Sequence, residues 1–148
     1  MADEARIPIE SDADMVTARA HARKLAAELG FSQTDATLIA TAISEIARNI
    51  VVHVGRGELV LQAVEEDARC GLTVIARDQG PGIRDVESAL EHGYASRGGL
   101  GLGLPGARRL MDEFAISTNS GRGGTTIKMT KWRMRDELER LRERRRSA

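Results

Sequence analysis

Residues 41–53 read TAISEIARNIVVH and combine an apolar helical repeat with two polar residues on a neighbouring face. Ile43, Ile46 and Ile50 recur at intervals of three and four residues, which predicts one buried face of an α-helix. Glu45 and Asn49 lie four residues apart, so they project from neighbouring turns of that helix. A carboxylate and an amide so placed suit a hydrated Mg²⁺ ion or a nucleophile that must be oriented. Taken alone, the pair also fits two polar residues on a solvated surface.

Start and stop signals bound this helix and the helix before it. Ser11 precedes an apolar repeat that ends at Gly30, and it is followed three residues later by an aspartate, as in a capping pair. Ser32 repeats the same start signal for the second helix, which we expect to run to about Val52. The sequence therefore predicts two consecutive amphipathic helices before any strong strand signal, with only a short apolar stretch near Ile7 ahead of them.

Beyond residue 57 the apolar period changes to two. The runs ELVLQAV (58–64) and GLTVIAR (71–77) predict a β-hairpin. The runs AISTN (115–119) and TTIKMTKW (125–132) predict a second strand pair. This order of helices and hairpins predicts an α+β sandwich, with a mixed or antiparallel sheet and helices on one face.

Two helices are predicted between these hairpins, and one is predicted after them. A short one is expected at residues 85–91, and another begins near Pro105, a residue that suits a first helical turn. We expect the second of these helices to bury one face formed by Leu104, Ala107, Met111 and Phe114. We divide the chain into a domain of residues 1–133 and a charged tail of residues 134–148, which we expect to be a solvated helix.

Composition excludes several classes of function. The chain has 148 residues with 22 basic and 22 acidic side chains, so its net charge does not favour nucleic acid or an anionic membrane. Aromatic residues make up 3%, which disfavours a base-stacking surface. Cys70 is the single cysteine, and we expect it to pack inertly in a strand. Without an apolar leader or a spanning segment in the sequence, we expect a cytoplasmic protein.

Three glycine-rich turns complete the polar features. Asp78 ends an apolar strand in DQGPGI (78–83), where it could accept from an exocyclic amine while Gly80 and Gly82 allow a ligand close to the backbone. The run GYASRGGLGLGLPG (93–106) precedes a helix, so its N–H groups could bind phosphate, although a hinge would also explain it. The turn at 120–126, SGRGGTT, could place a threonine hydroxyl on a ligand, and a simple tight turn explains its glycines equally well.

The order of these elements resembles the Bergerat ATP-binding fold of the GHKL superfamily. An E-x-x-x-N helix, D-x-G-x-G after a strand, G-x-G-x-G before a helix and a late G-x-T characterise gyrase-type topoisomerases, histidine kinases, heat-shock chaperone ATPases and anti-sigma-factor kinases. The phrases DQGPGI, GLGLGLPGARRLMDEF (99–114) and GTTIKMTKW (124–132) resemble the small serine/threonine switch kinases of the bacterial stressosome. This resemblance covers roughly residues 7–132.

The resemblance implies a role for each matching residue. Glu45 would be the catalytic base or the group that orients the attacking hydroxyl, and Asn49 would hold Mg²⁺ between the ATP phosphates. Asp78 would receive the adenine amino group beside Gly80 and Gly82. The phosphates would be bound by Gly99, Leu100, Gly101, Leu102 and Gly103. Thr125 or Thr126 would complete the adenine side, and the extra glycine in GRGGTT leaves open which of the two does so.

The function implied is phosphorylation of Ser or Thr on STAS-domain partner proteins, with ATP and Mg²⁺ as cofactors. Once released from these partners, such a kinase would bind and activate a downstream phosphatase. An alternative is an anti-sigma factor or pseudokinase in which ATP controls partner binding. A histidine kinase is disfavoured, because none of the three histidines lies in an obvious phosphoacceptor helix. We expect His53, one turn beyond Asn49, to have a packing role.

Overall fold

Five antiparallel strands form the sheet of the computed structural model, which describes residues 4–80, 103–118 and 124–147. The spatial order is β1-β2-β3-β5-β4, so β3 lies at the centre and β1 and β4 form the edges. The strands comprise β1 (Glu4–Ile9), β2 (Gly57–Glu65), β3 (Arg69–Asp78), β4 (Glu113–Thr118) and β5 (Thr125–Met134). This arrangement confirms the predicted α+β class and selects the antiparallel alternative for the sheet.

Four helices accompany the sheet in the described part of the chain. They are α1 (Asp12–Glu28), α2 (Gln33–His53), α3 (Gly103–Leu110) and α4 (Glu137–Ser147). The Ser32 hydroxyl accepts a hydrogen bond from the Asp35 N–H at 3.1 Å, as expected of the residue that caps α2. Gly30 has a φ of +87°, a left-handed conformation that ends the turn after α1. Both helices predicted in the first third of the chain are therefore present.

The core lies between one face of the sheet and helices α1, α2 and α3. Side chains from β2, β3 and β5 alternate, so that every second residue points toward the helices. The fully buried members are aliphatic, which agrees with the low aromatic content of the chain; the largest are Ile9, Ile39, Ile43, Ile46, Leu59, Leu61, Leu72, Val74, Leu104 and Met129. Cys70 is also buried, as expected for a packing residue in a strand.

The structure corrects two sequence-based expectations. The stretch around Ile7 was not predicted as a strand, but it forms β1 and pairs with β2 along the sheet edge. Helix α3 ends at Leu110, so Met111 lies beyond it and Phe114 lies in β4. These side chains still pack on the core, because a helix and the strand that follows it can cover the same apolar surface. The short helix predicted at residues 85–91 lies outside the described residues.

Helix α4 is present, but its interactions differ from those of a solvated tail. The Arg133 guanidinium forms a two-point ion pair with Glu139, with N–O distances of 3.0 and 2.6 Å. Arg140 lies 2.9 Å from Asp67 in the turn between β2 and β3. The helix therefore contacts the body of the protein through charged side chains. Within residues 4–80, 103–118 and 124–147, no helix is long and apolar enough to cross a membrane.

Candidate active site

Glu45 lies on α2 at the point where this helix meets the start of α3. Its Oε2 atom accepts a hydrogen bond from the Gly103 N–H at 2.9 Å, across 58 residues of sequence. Gly103 is the first residue of α3 and has a φ of +48°, a conformation that favours glycine. A carboxylate at a helix N-terminus is stabilised by the exposed N–H groups and the helix dipole. The contact thus joins the predicted base to the end of the glycine run.

Asn49 lies one turn further along α2 and carries an unsatisfied polar atom. Its Nδ2 is buried and has no hydrogen-bond partner in the described part of the chain. An unpaired donor in such a position costs about 1–3 kcal/mol, and these groups are uncommon in folded proteins. The orphaned amide therefore indicates a position where a bound group completes the hydrogen bonding.

Asp78 ends β3 in a turn that its own carboxylate stabilises. The Oδ1 atom accepts from the Gly80 N–H at 2.9 Å, which is the hydrogen bond of an Asx turn. The Asp78 Oδ2 atom makes no hydrogen bond within the described residues, so it is open to a donor such as an exocyclic amine. Leu72, Val74 and Ala76 point toward the helices, and Asp78 is the next residue of β3 on that face. Asp78 is half-buried.

Gly80 has no room for a side chain. A Cβ atom there would lie 2.7 Å from the Cγ2 atom of Val54, which directly follows α2. The Gly80 carbonyl accepts a hydrogen bond from the Gly124 N–H, and this bond ties the turn after β3 to the start of β5. The glycine in D-x-G is therefore required by close packing, and Val54 is a neighbour of the site that the sequence did not reveal. Its only sequence signal is its position just beyond the E-x-x-x-N helix.

Strand register separates the two candidate threonines. Thr125 is directly opposite Asp78 in the β3–β5 ladder, and it is buried with 7% of its surface exposed. Directly opposite residues of an antiparallel pair point to the same face, so Thr125 shares the helix-facing side with Asp78. Thr126 is opposite Arg77 and points to the other face. The geometry therefore places Thr125, and not Thr126, beside Asp78.

His53 lies near the end of α2, one turn beyond Asn49. Desolvation by burial lowers the pKa of His53 below its usual 6.5, which favours the neutral imidazole. A neutral, largely enclosed ring agrees with the packing role predicted for it.

A cavity of about 520 Å³ opens beside the turn that follows β3. Asp78, Gly80, Val54 and Gly57 line it together with charged side chains that include Arg56. This volume lies in the range of small-molecule sites. The remaining predicted phosphate and backbone positions, Gly82, Gly99, Leu100, Gly101 and Leu102, lie outside the described residues.

The geometry joins Glu45 of α2 to the N-terminus of α3, one turn from Asn49, and it places Asp78 opposite Thr125 at one end of the sheet. The family model described as "Histidine kinase-like ATPase domain" matches residues 9–131. The chain therefore belongs to the family of histidine kinase-like ATPase domains.

Within this family, the chain is similar to the serine/threonine-protein kinase RsbT of Bacillus subtilis (strain 168). The two are 46% identical over 132 residues, which cover 89% of this chain and 98% of that relative. The anti-sigma F factor of Caldanaerobacter subterraneus is 31% identical over 121 residues, covering 78% of this chain and 82% of the relative. These similarities confirm the predicted superfamily and the predicted class of enzyme, a serine/threonine protein kinase of the ATP-binding type.

A solved structure shows the same fold. It contains the RsbU and RsbW domains of a Mycobacterium tuberculosis protein and matches with a TM-score of 0.59 and 27% sequence identity. The match covers 89% of this chain but 32% of that longer one, so this chain spans about a third of its length. The relatives are regulators of other proteins by name, which agrees with the prediction that this chain has regulatory protein partners.

Proposed function

We propose that this chain transfers the γ-phosphoryl group of ATP to a serine or threonine of a STAS-domain protein. Glu45 serves as the base, Asn49 as the Mg²⁺ ligand, and Asp78 with Thr125 as the adenine site. The observation that carries this proposal is the hydrogen bond from Gly103 to Glu45, because it joins the E-x-x-x-N helix to the end of the glycine run. The proposed base is thereby adjacent to Gly103, the last residue of the candidate phosphate loop.

The residues present suit ATP and Mg²⁺. When bound, these groups supply the phosphoryl group and the cation that neutralises its charge. The unpaired Nδ2 of Asn49 is a donor that suits a phosphate oxygen, and the oxygen of the same amide is a ligand of the type that Mg²⁺ accepts. No cluster of three His, Cys, Asp or Glu side chains occurs in the described ranges, and Mg²⁺ at phosphate sites typically needs only one or two protein ligands.

We assign the role of the base in this reaction to Glu45. Transfer forms a bond from the hydroxyl oxygen of the partner protein to the γ-phosphorus and breaks the bond to the ADP oxygen. The proton of the hydroxyl passes to the Glu45 carboxylate, which accepts from the Gly103 N–H until a phosphate oxygen takes that donor. Positioning and electrostatic stabilisation account for most catalysis of phosphoryl transfer, so a rigid helix pair is a suitable scaffold.

The adenine end is built from the turn after β3. The free Asp78 oxygen accepts from the adenine amino group, while Gly80 lets the backbone pass close to Val54. Thr125 lies opposite Asp78 and offers a hydroxyl from β5. After release from its STAS-domain substrate, the kinase binds and activates a downstream phosphatase; this part of the proposal rests on the resemblance alone.

Phosphotransfer assays test the assignment of Glu45. We expect Glu45→Gln to lower transfer from labelled ATP to a STAS-domain partner by about 100-fold or more, because the amide cannot accept the proton. Nucleotide affinity should persist, because glutamine has nearly the same shape and leaves the Gly103 N–H available to a phosphate oxygen. Glu28→Gln, at an exposed glutamate of α1, is the matched control and should retain full transfer.

Asp78→Asn provides the complementary variant. Asparagine can keep the Asx turn with Gly80, but its amide then opposes the adenine amine with a second donor. We expect nucleotide affinity to fall by about tenfold or more, whereas Asp12→Asn should bind normally. Full transfer by both Glu45→Gln and Asp78→Asn would refute the site. Nucleotide-dependent partner binding without any transfer by the unaltered protein would favour the anti-sigma or pseudokinase alternative.

A further inference from the structure

Helix α4 presents its charged side to the protein and its leucines to solvent. Glu139 pairs with Arg133 at 2.6 Å, and Arg140 and Arg144 approach Asp67 at 2.9 and 3.6 Å. The N-terminus of the helix is held by Asp136, whose Oδ1 accepts from the Glu139 N–H at 2.8 Å. These contacts set the rotation of the helix about its axis. Its apolar residues take no part in the docking.

Three exposed apolar side chains occur in this segment, two on α4 and one at the end of β5, and we call them the apolar ridge. Leu138 and Leu141 lie three residues apart on one side of α4 and are 57% and 43% exposed. Met134, at the end of β5, is 68% exposed. Only five large apolar residues of the described chain are exposed to this degree, and these three belong to one short segment. Amphipathic helices normally bury such a face, so the folded chain by itself does not account for this orientation.

Two cations flank the ridge. Helical spacing places Arg145 on the same side of α4 as the two leucines and Arg142 at the border of that side, where Arg142 also lines the groove that contains Glu28 and Glu139. Both arginines are exposed, and neither forms an ion pair with the described side chains. The other arginines of the segment differ, because Arg133 and Arg140 are held by carboxylates of the helix or the body. The outward surface is therefore apolar and positively charged.

The charge of this surface selects among possible occupants. A second copy of the same helix would bring Arg142 and Arg145 toward like charges, which disfavours self-association. Helices that lie on membranes have a wide apolar face, often with aromatic residues, whereas α4 offers two leucines. A partner segment with apolar residues flanked by carboxylates would contact the leucines and pair with the arginines.

We propose that α4 is a docking element for a partner protein that presents an acidic amphipathic helix. The interface consists of Met134, Leu138 and Leu141 with Arg142 and Arg145 at its border. The family match ends at residue 131, so α4 lies beyond the matched ATP-binding domain, and Met134 lies at the end of its last strand. Docking is independent of the proposed phosphotransfer, and Glu45→Gln should leave it unchanged.

Fluorescence anisotropy with the full chain tests this proposal. The probe is a synthetic helical peptide with a leucine ridge flanked by glutamates, and its comparison peptide has lysines in place of those glutamates. We expect binding of the glutamate peptide only. The double variants Leu138→Gln/Leu141→Gln and Arg142→Glu/Arg145→Glu should each weaken binding at least about tenfold. The double variant Val16→Gln/Arg23→Glu, on the exposed side of α1, is the control and should bind normally.

Folding and competing occupants are checked with the same proteins. The ridge side chains point outward, so thermal unfolding of both α4 variants should match that of the unaltered protein. Failure of the unaltered chain to bind the glutamate peptide would overturn the proposal, as would undiminished binding by both variants. Tail-dependent binding to phosphatidylserine vesicles without peptide binding would assign the ridge to a membrane. Concentration-dependent dimers that are lost in the leucine variant would assign it to a second copy.

Discussion

Asp78 has a structural role in the turn after β3, and this role bears on the binding role that we propose for it. One carboxylate oxygen closes the turn onto Gly80, which leaves the other oxygen without a partner in the described residues. The turn therefore orients the free oxygen, because rotation of the carboxylate would break the bond to Gly80. A ligand donor meets a preoriented acceptor, which lowers the entropic cost of binding.

Thr125 and Thr126 offer a direct test at the residue scale. We expect Thr125→Val to weaken ATP binding by about three- to tenfold, since it removes a hydroxyl from the side of β5 that faces Asp78. Valine has a similar shape and a high strand propensity, so the fold should persist. Nucleotide titration calorimetry measures the change.

Thr126→Val is the matched control for this experiment. Its side chain points to the opposite face of the sheet, opposite Arg77, and the substitution should leave affinity unchanged. The reverse result, with Thr126→Val impaired and Thr125→Val normal, would contradict the register-based assignment.

At the scale of elements, α2 and α3 act as a pair. The Ile39, Ile43, Ile46 and Ile50 stripe packs α2 onto the core, and Leu104 and Ala107 bury α3. This packing leaves Glu45 at the N-terminus of α3, where the described structure satisfies the Gly103 N–H with a carboxylate. A phosphate oxygen is the other natural partner of such a group.

The shared N–H predicts competition within the site. We expect a non-hydrolysable ATP analogue with Mg²⁺ to displace Glu45 from Gly103, because phosphate and carboxylate repel each other while both favour that donor. The Gly103 amide resonance should then shift strongly in a ¹⁵N-edited NMR spectrum. The Gly30 amide, which donates to Ala27 after α1, serves as a remote reference.

The same spectra can also contradict this prediction. A Gly103 resonance that stays fixed while resonances around Asp78 shift would mean that nucleotide binds without engaging the start of α3. In Asp78→Asn, the Gly103 shift should require more of the analogue, because the two ends of the site bind one molecule.

Element prediction succeeded where a local signal was strong. The boundaries of α1 and α2 follow from serine caps and apolar spacing, and both hairpins follow from alternation. The strand β1 was missed because its six residues carry only a brief apolar pattern, and pairing with β2 stabilises it. Phe114 was placed in a helix because its spacing from Met111 suits a helical face; the chain instead turns into β4.

At the scale of the whole molecule, α4 joins three separate parts of the chain. Arg133 donates to the Leu29 carbonyl at 3.0 Å and pairs with Glu139, so it links the end of α1 to α4. Arg140 links α4 to the turn between β2 and β3 through Asp67. The ion pairs involve partly exposed groups, so each contributes modestly and is weakened by salt.

Acid should weaken the contacts that hold α4 against the body of the protein. Hydrogen bonds from Arg133 hold the pKa of Glu139 at about 2, below the usual 4.5. A carboxyl group with a lowered pKa in the folded state stabilises the fold fully above its unfolded pKa, and this contribution disappears as pH falls toward the folded value. We therefore expect Glu139→Gln to lower the melting temperature at neutral pH, with a difference from the unaltered protein that shrinks between about pH 4.5 and pH 2.

Calorimetric unfolding across this pH range measures the effect. Glu10→Gln is the control, because this exposed glutamate forms no ion pair in the described part of the chain. A difference in melting temperature between Glu139→Gln and the unaltered protein that stays constant across the whole acid range would show that the pair with Arg133 does not stabilise the fold.

The sequence by itself determined the α+β class, the order of its main elements and the chemical identity of the candidate site. These features depend on local spacing and residue type: apolar periodicity selects helix or strand, and carboxylate, amide and glycine positions limit the chemistry. Only the tertiary structure decided that Thr125 shares a face with Asp78, that Glu45 meets the Gly103 N–H and that α4 turns its leucines outward. Strand register, helix–helix packing and helix rotation arise from contacts between residues far apart in the chain, and no local pattern contains them.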